Sequence, residues 1–359
     1  HFFGLPIEGE KVRLVHQWVL YNSGKIPSLE GHFVGGNSLA NKVHALQIQT
    51  DGSTFRTVEI ENPIQTEDKW FRPVHAAVGP DGAIYISDWY DARITHVDPR
   101  DNWDRDRGRV YRLRSDGEKA EKPRDLRALS SRELVGLLGD SNQWLRRTVH
   151  RMLVDRQDAS VVVPLEEGLR SDDGQLALES LWALQGLDRF DDSVALQGLS
   201  HRDPYVRLWA MRFAGDPKKT LSPSVFDKVL ELGREETHLE VLSQTASTAQ
   251  RLPVVQGLPL VRVLAGRADV NEDAYIPQQI WWALEAQIQR DPGAVVELLS
   301  ETTLWGEAVF ESTLAERIGR RFMAERSEMN LETCAQLLQA APSAAAAKLL
   351  VRGMEKALQ

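Results

Sequence analysis

Four residues within a short stretch, Arg72, Asp88, Trp89 and Asp91, have the types and spacing from which an anion-binding mouth could be built. A guanidinium clamps a carboxylate or phosphate through two parallel N–H donors, and flanking acids and an indole would orient it. The competing role for Arg72 is a brace that pairs with Asp88 or Asp91 to hold two loops together, with Asp88 capping its own turn. Further along, "DPRDNWDRDRGRVYRL" carries Asp98, Asp101, Asp104 and Asp106, an oxygen density that invites a calcium loop. The interleaved Arg100, Arg105, Arg107 and Arg109 favour an internally paired loop instead. His32, His44, His75 and His96 fall on separate strands, where lone histidines are structural or exposed, so no metal site is expected. No Gly-rich phosphate loop, nucleophile elbow or H-E-x-x-H is present, and the catalytic residues of any reaction remain unknown.

The elements that would position these residues change character along the chain. From His32 the sequence alternates in short runs: "HFVGGN", "KVHALQIQ", the turn pair Asp51-Gly52, and "STFRTVEIE". Asp-Gly between alternating runs is a hairpin signal, because Gly supplies positive φ without steric cost. The order returns as "PVHAAVG", the turn "PDG", "AIYISDW", the turn "YDAR", "ITHVDP", a charged insert and "GRVYRLRS". Superposing Asn37 on Asp88 brings Val43 onto Ile94, an offset close to the period of propeller blades. Two such blades cannot close a ring, so the expected arrangement is the end of a larger propeller whose other blades lie upstream, with Val15, Trp18, Val19 and Phe33 on an exposed outer face. In that geometry Trp70 to Pro73 and Asp88 to Arg93 open on the axial mouth.

After Lys122-Pro123 the alternation stops and helical periodicity begins. "SRELVGLLGDSNQWLRRTVHRMLVDRQ" reads as a helix, a break at Gly139-Asp140 and a second helix. In "SVALQGLSHRDPYVRLWAMRFAGD", Asp203-Pro204 starts the second helix, with Val206, Trp209 and Ala210 inward. The units are short for HEAT repeats but built alike, with an aspartate cap and an arginine in the first turn. Arg146 with Arg147, and Arg320 with Arg321, are assigned to solvated faces, and Trp281 with Trp282 to the core. The predicted fold is therefore mixed, all-β plus all-α: a partial β-propeller of about two blades over 1–116, a linker at 117–129, and a HEAT-like α-solenoid of six or seven helix pairs over 130–359.

Composition bounds the functions. A net charge of −9 and a pI near 5.6 exclude a broad electrostatic footprint for nucleic acid or an anionic membrane. No apolar run is long enough to span a bilayer. The single cysteine, Cys334, rules out an internal disulfide framework or a C-x-x-C-H haem attachment within this sequence. The opening "HFFGLPIEGEKVRL" carries no secretory leader and starts mid-pattern, as a fragment would.

The ordered set "GKIPSLEGHFVGGNSLANKV", "DGSTFRTVE", "DKWFRPVHAAVGPDGAIYISDWYDARITH", "RGRVYRL", "DSNQWLRRTVHRMLVDR", "LWALQGL", "DPYVRLWAMR" and "DAYIPQQIWWALE" resembles the large membrane-bound dehydrogenase-like proteins of Planctomycetes and Verrucomicrobia. In that family a glucose/sorbosone-dehydrogenase-like propeller precedes HEAT-like repeats and a c-type cytochrome domain. The resemblance, from about residue 22 to 290, implies a fragment of a periplasmic or otherwise extracytoplasmic oxidoreductase acting on a sugar or alcohol. It further implies a pyrroloquinoline quinone (PQQ) cofactor, held near Arg72, Asp88, Trp89 and Asp91, and haem only in a downstream domain. The sequence departs from the family twice: the early blades that hold the catalytic histidine in related quinoproteins are missing, and no haem motif follows the repeats. The alternative is a non-catalytic scaffold that binds a polysaccharide, or a protein partner on the solenoid surface.

Overall fold

The computed structural model describes residues 7–8, 17–93, 99–117, 124–300 and 302–359. Strands come first and helices after. The strands are β1 (Ile7–Glu8), β2 (Trp18–Leu20), β3 (His32–Asn37), β4 (Lys42–Asp51), β5 (Thr54–Glu59), β6 (Ile64–Gln65), β7 (Pro73–Val78), β8 (Ile84–Asp88) and β9 (Arg109–Leu113). They form two small sheets, β1-β5-β4-β3-β2 with β6 added to β4, and β7-β8-β9. Both sheets are antiparallel apart from one short pair: β1 runs parallel to β5, where antiparallel strands were expected throughout.

The turn chemistry behaves as its residue types require. Gly52 sits at φ +62 between β4 and β5, and Gly82 at φ +76 closes the "PDG" turn between β7 and β8. Both are positions that only glycine occupies without strain. Asp81 secures the second turn by accepting from Ala83 N–H, the Tyr85 hydroxyl and Arg112. Tyr21, Val34, Val43, Phe71, Ala76, Ile84 and Ile86 form the core of this part, with Tyr111 and Leu113 packed against it.

Three expectations need correction here. The partner of β8 is β9, with Asp88 opposite Arg109 and Ile84 opposite Leu113, so "GRVYRL" takes the third place expected of "ITHVDP". This register sets Tyr111 and Leu113 beside the core, and the charged insert falls between the second and third strands. Asn37 and Asp88 do correspond, each ending a strand and standing opposite the first residue of the next, Lys42 and Arg109, so Val43 corresponds to the region of Arg109 rather than Ile94. Ile94, His96 and Asp98, like Val15 and the Lys122-Pro123 boundary, lie outside the described residues. Trp18, Val19 and Phe33 are half-buried rather than exposed, with the Trp18 ring edge-on to Phe33 at 6.4 Å and tilted against His44 at 6.3 Å.

The helices are α1 (Ser131–Val135), α2 (Gln143–Arg156), α3 (Val162–Leu169), α4 (Gly174–Gly186), α5 (Asp192–Leu199), α6 (Pro204–Gly215), α7 (Pro223–Glu235), α8 (Leu239–Arg251), α9 (Val254–Ala265), α10 (Ile276–Arg290), α11 (Pro292–Leu299), α12 (Ala315–Glu325), α13 (Glu328–Ala340) and α14 (Ala344–Leu358). Asn142, Asp173 and Asp203 cap α2, α4 and α6 by accepting from backbone N–H groups of the first turn. Second helices pack on second helices, α4 on α6, α6 on α8 and α8 on α10, while α5, α7 and α9 pack in turn beside them. Two compact units result: residues 1–51 with 55–165, and residues 166–359 with the turn 52–54.

Helix-face assignments fail where a neighbour claims the side chain. Arg146 is 2% exposed and donates to the carbonyls of Asp140 and Ser141, whereas Arg147 next to it is exposed. Arg321 is ion-paired with Glu325 at 2.6 Å and Glu285 at 3.7 Å. Trp281 is buried as expected, but Trp282 is 46% exposed.

The pair α12 and α14 touches backbone to backbone. A Cβ added at Gly319 would overlap the Leu350 carbonyl, and one at Gly353 would overlap the Glu316 carbonyl. Gly353→Ala must push the helices apart, an overpacking cost of about 1–3 kcal/mol. Urea unfolding followed by helical circular dichroism should show that loss, and an unchanged midpoint would mean the two helices are not in register at these glycines.

Candidate functional site

The site is built where β7 begins and β8 ends. Antiparallel pairing places Pro73 opposite Asp88, so the segments 70–72 and 89–93 emerge side by side. Strand β8 alternates with Ile84, Ile86 and Asp88 inward, which carries the Asp88 carboxylate onto the buried face. A buried carboxylate must be hydrogen-bonded. Its Oδ1 accepts from Arg72 N–H at 2.6 Å and Tyr90 N–H at 2.9 Å, the second bond closing a turn in which Tyr90 takes φ +48. Its Oδ2 is buried without a partner.

Arg72 lies beneath the surface, 9% exposed, and each of its three guanidinium nitrogens donates to a backbone carbonyl. Nη1 reaches Ser38 at 2.8 Å, Nε reaches Asp91 at 3.1 Å, and Nη2 reaches Ala92 at 3.4 Å. Ser38 follows β3, so one side chain ties the end of the first sheet to the loop after β8. Burial lowers the Arg72 pKa, and the charges of Asp91 and Asp88 oppose that. Two more contacts lock the same end: Asn41 donates to the Phe71 carbonyl at 2.8 Å, and Gly36 lies so close to Pro73 that a Cβ would stand 2.6 Å from its carbonyl oxygen.

Asp91 fastens the next layer. Its Oδ1 accepts from Arg93 N–H at 2.8 Å, and its Oδ2 from Asp104 N–H at 2.8 Å and the Trp89 indole at 3.4 Å. Burial alone would raise the Asp91 pKa, but these donors and the Arg93 charge bring it below the usual carboxylate range. Within the acidic stretch Asp101 pairs with Arg105 and Asp104 with Arg107, both at 2.7 Å. Among the described residues no three His, Cys, Asp or Glu side chains converge as a metal ion would need.

What faces outward is aromatic and cationic. Trp89 is 50% exposed and meets Trp103 edge-on at 5.5 Å, with the Arg93 guanidinium 3.9 Å above the Trp103 ring. Alongside, Arg107 lies over Trp70 at 4.8 Å, Trp70 packs on Tyr90 at 5.8 Å, and Arg109 covers Tyr90 at 3.5 Å. Such cation–π stacks hold exposed rings in fixed orientations.

Residues 17–117 match a family described as a domain of unknown function, DUF7133. No curated protein matches the chain. The matched span contains both sheets from β2 to β9 and the whole aromatic layer, and it stops short of α1.

The structure thus brings Arg72, Asp88, Trp89 and Asp91 to one end of the second sheet, and of the four only Trp89 faces outward. Sequence reasoning missed Trp70, Tyr90 and Trp103 as a set. The available signal was the interleaving of aromatic and arginine residues in "DWYDAR" and "DNWDRDRGR". Of the histidines, His44 is buried between Asn37 and Glu59, 3.1 and 3.0 Å from its two ring nitrogens, and His32 holds the Glu30 carbonyl at 2.7 Å. His75 is exposed on β7.

Proposed function

We propose that this chain is a non-catalytic binding scaffold, and that the aromatic layer around Trp89 is a stacking platform for the rings of a sugar chain. The observation that carries the reading is the division of labour at the site: Arg72, Asp88 and Asp91 are buried and spent on the fold, while a half-exposed indole faces outward among rings held by Arg93, Arg107 and Arg109. Trp89 is held from below by the Asp91 carboxylate and from the side by Trp103, so little freedom remains to be lost when a ligand stacks on it. Affinity electrophoresis and calorimetry with soluble neutral oligosaccharides test this. Trp89→Ala should weaken binding about tenfold or more, the range for losing a stacked aromatic anchor. Affinity that is equal in wild type and variant would remove the platform.

A second reading follows the family resemblance: a fragment of an extracytoplasmic sugar or alcohol oxidoreductase that uses a quinone cofactor. One observation favours it, the unpartnered Oδ2 of Asp88, an acceptor left open beside Arg72. The arginine itself does not fit a bidentate cofactor clamp, because neither of its planar forks is left whole after three carbonyls are served. Titrating the chain with PQQ separates the readings. Saturable binding that is lost in Asp88→Asn would favour the oxidoreductase, and its absence the scaffold.

A further inference from the structure

Helix α2 is anchored at its N-terminal end, where Asn142 donates to the carbonyls of Gly79 and Pro80 between β7 and β8, and a space opens between the helix and strands of both sheets. Gln143 N–H donates to the Asn22 carbonyl at 2.9 Å, which fixes the start of the helix beside β2. Below lies a cavity of about 580 Å³, floored by Trp18, Val19, Phe33 and Val78 and walled by Trp144 and Arg147 of α2. A second hollow of about 800 Å³ continues along the helix past Arg124, Arg127 and Met152, and both share Trp144, Thr148 and Arg151. They form one trough with an apolar floor and a basic rim.

The rim carries an excess of positive charge. Arg147 and Arg151 stand one helical turn apart, so their side chains project from the same face. Both are exposed, as are Arg124 and Arg127, and none of the four pairs with a carboxylate among the described residues. Asp125 and Asp155 also line the second hollow, leaving a local excess of positive charge on a chain whose net charge is −9. That excess of guanidinium groups around a cleft attracts an anionic occupant. The floor adds a second requirement: Val19, Phe33 and Val78 gain from burial against apolar groups, which a polypeptide offers in quantity.

We propose that this trough docks a polypeptide segment of a partner protein in which acidic residues alternate with large apolar ones. The α2 residues that line it run from Gln143 to Asp155, roughly 18 Å at the helical rise. An extended segment of about six residues covers that length. Apolar side chains fill the cavity over Trp18 and Phe33, and carboxylates pair with Arg147 and Arg151. This inference is independent of the platform at Trp89, which lies on other residues.

Random-peptide display panned in parallel on the wild-type chain and on the double variant Arg147→Glu/Arg151→Glu tests it, with Arg151→Gln as a milder second variant. The wild type should enrich peptides containing both acidic and large apolar residues. A synthetic peptide of that consensus should bind about tenfold more weakly to Arg151→Gln, and to the double variant where its thermal midpoint matches wild type. Raised salt should weaken the wild-type complex, as screening of charge pairs requires. Enrichment without acidic bias, equal binding to wild type and Arg151→Gln, or displacement of the peptide by polygalacturonate but not by polyglutamate would overturn the proposal.

Discussion

Replacing Arg72 with alanine is expected to destabilise the unit that contains the two sheets by about 3–5 kcal/mol, the range for removing one partner from a buried charge cluster. Three carbonyls, those of Ser38, Asp91 and Ala92, lose their donors, and the carboxylates of Asp88 and Asp91, both 3% exposed, lose the cation beside them. Lysine restores the charge but cannot serve three divergent acceptors, so Arg72→Lys should cost about 1–3 kcal/mol. Thermal melts read at the aromatic bands should show midpoints lowered in the order lysine then alanine, by about 10 °C or more for alanine. The bridge to Ser38 makes the effect cooperative, because both sheets lose an anchor at once. A melt of Arg72→Lys identical to wild type, together with weaker ligand binding, would mean the guanidinium faces a ligand and not the loops.

The second large effect is expected in the helical unit, at Glu236. This carboxylate is 6% exposed and receives Arg207 through two bonds, Nε at 2.7 Å and Nη2 at 2.9 Å. It also accepts from the N–H groups of Thr237 and His238 at the start of α8, and Arg207 reaches back to the carbonyls of His201 and Arg202 before α6. Two successive helix pairs are thereby pinned by one ion pair. Burial pushes the Glu236 pKa up, but the bonds from Arg207 and the two N–H groups outweigh it and hold it below the usual 4.5. The sign follows from linkage: a carboxylate with a depressed folded pKa stabilises above its unfolded pKa, and that contribution fades as pH falls through the folded value. Glu236→Ala should cost about 3–4 kcal/mol near neutral pH by leaving Arg207 largely buried and unpaired. Urea titrations at stepped pH should show the gap between wild type and Glu236→Gln constant above about pH 5 and narrowing from there as pH falls through the folded pKa. A gap that widens on acidification would show that Glu236 is not held ionised in the folded chain.

Local chemistry alone determined the order of strands then helices. The hairpin at Asp51-Gly52, the "PDG" turn and the helix start at Asp203-Pro204 were legible because each rests on the conformational limits of one or two residues. The helix pairs were legible because a buried stripe repeats every turn. The pairing of β8 with β9 was not legible, because alternation marks a run as a strand without naming the edge it joins.

The outward or inward sense of the site was decided by tertiary structure. Arg146 and Arg147 are neighbours of one type, as are Trp281 and Trp282, yet one of each pair is buried and the other exposed. Helical rotation separates adjacent side chains by about 100°, and which of the two directions meets a neighbour depends on the packing of elements far away in sequence. Arg72 is the sharper case. Its type announced a strong donor, and its position before β7 announced the end of a sheet. What it would bind was not announced, because its acceptors are the main-chain carbonyls of Ser38, Asp91 and Ala92. Every residue carries that same carbonyl, so nothing in the order of side chains marks which three will converge on a guanidinium until the chain has folded around it.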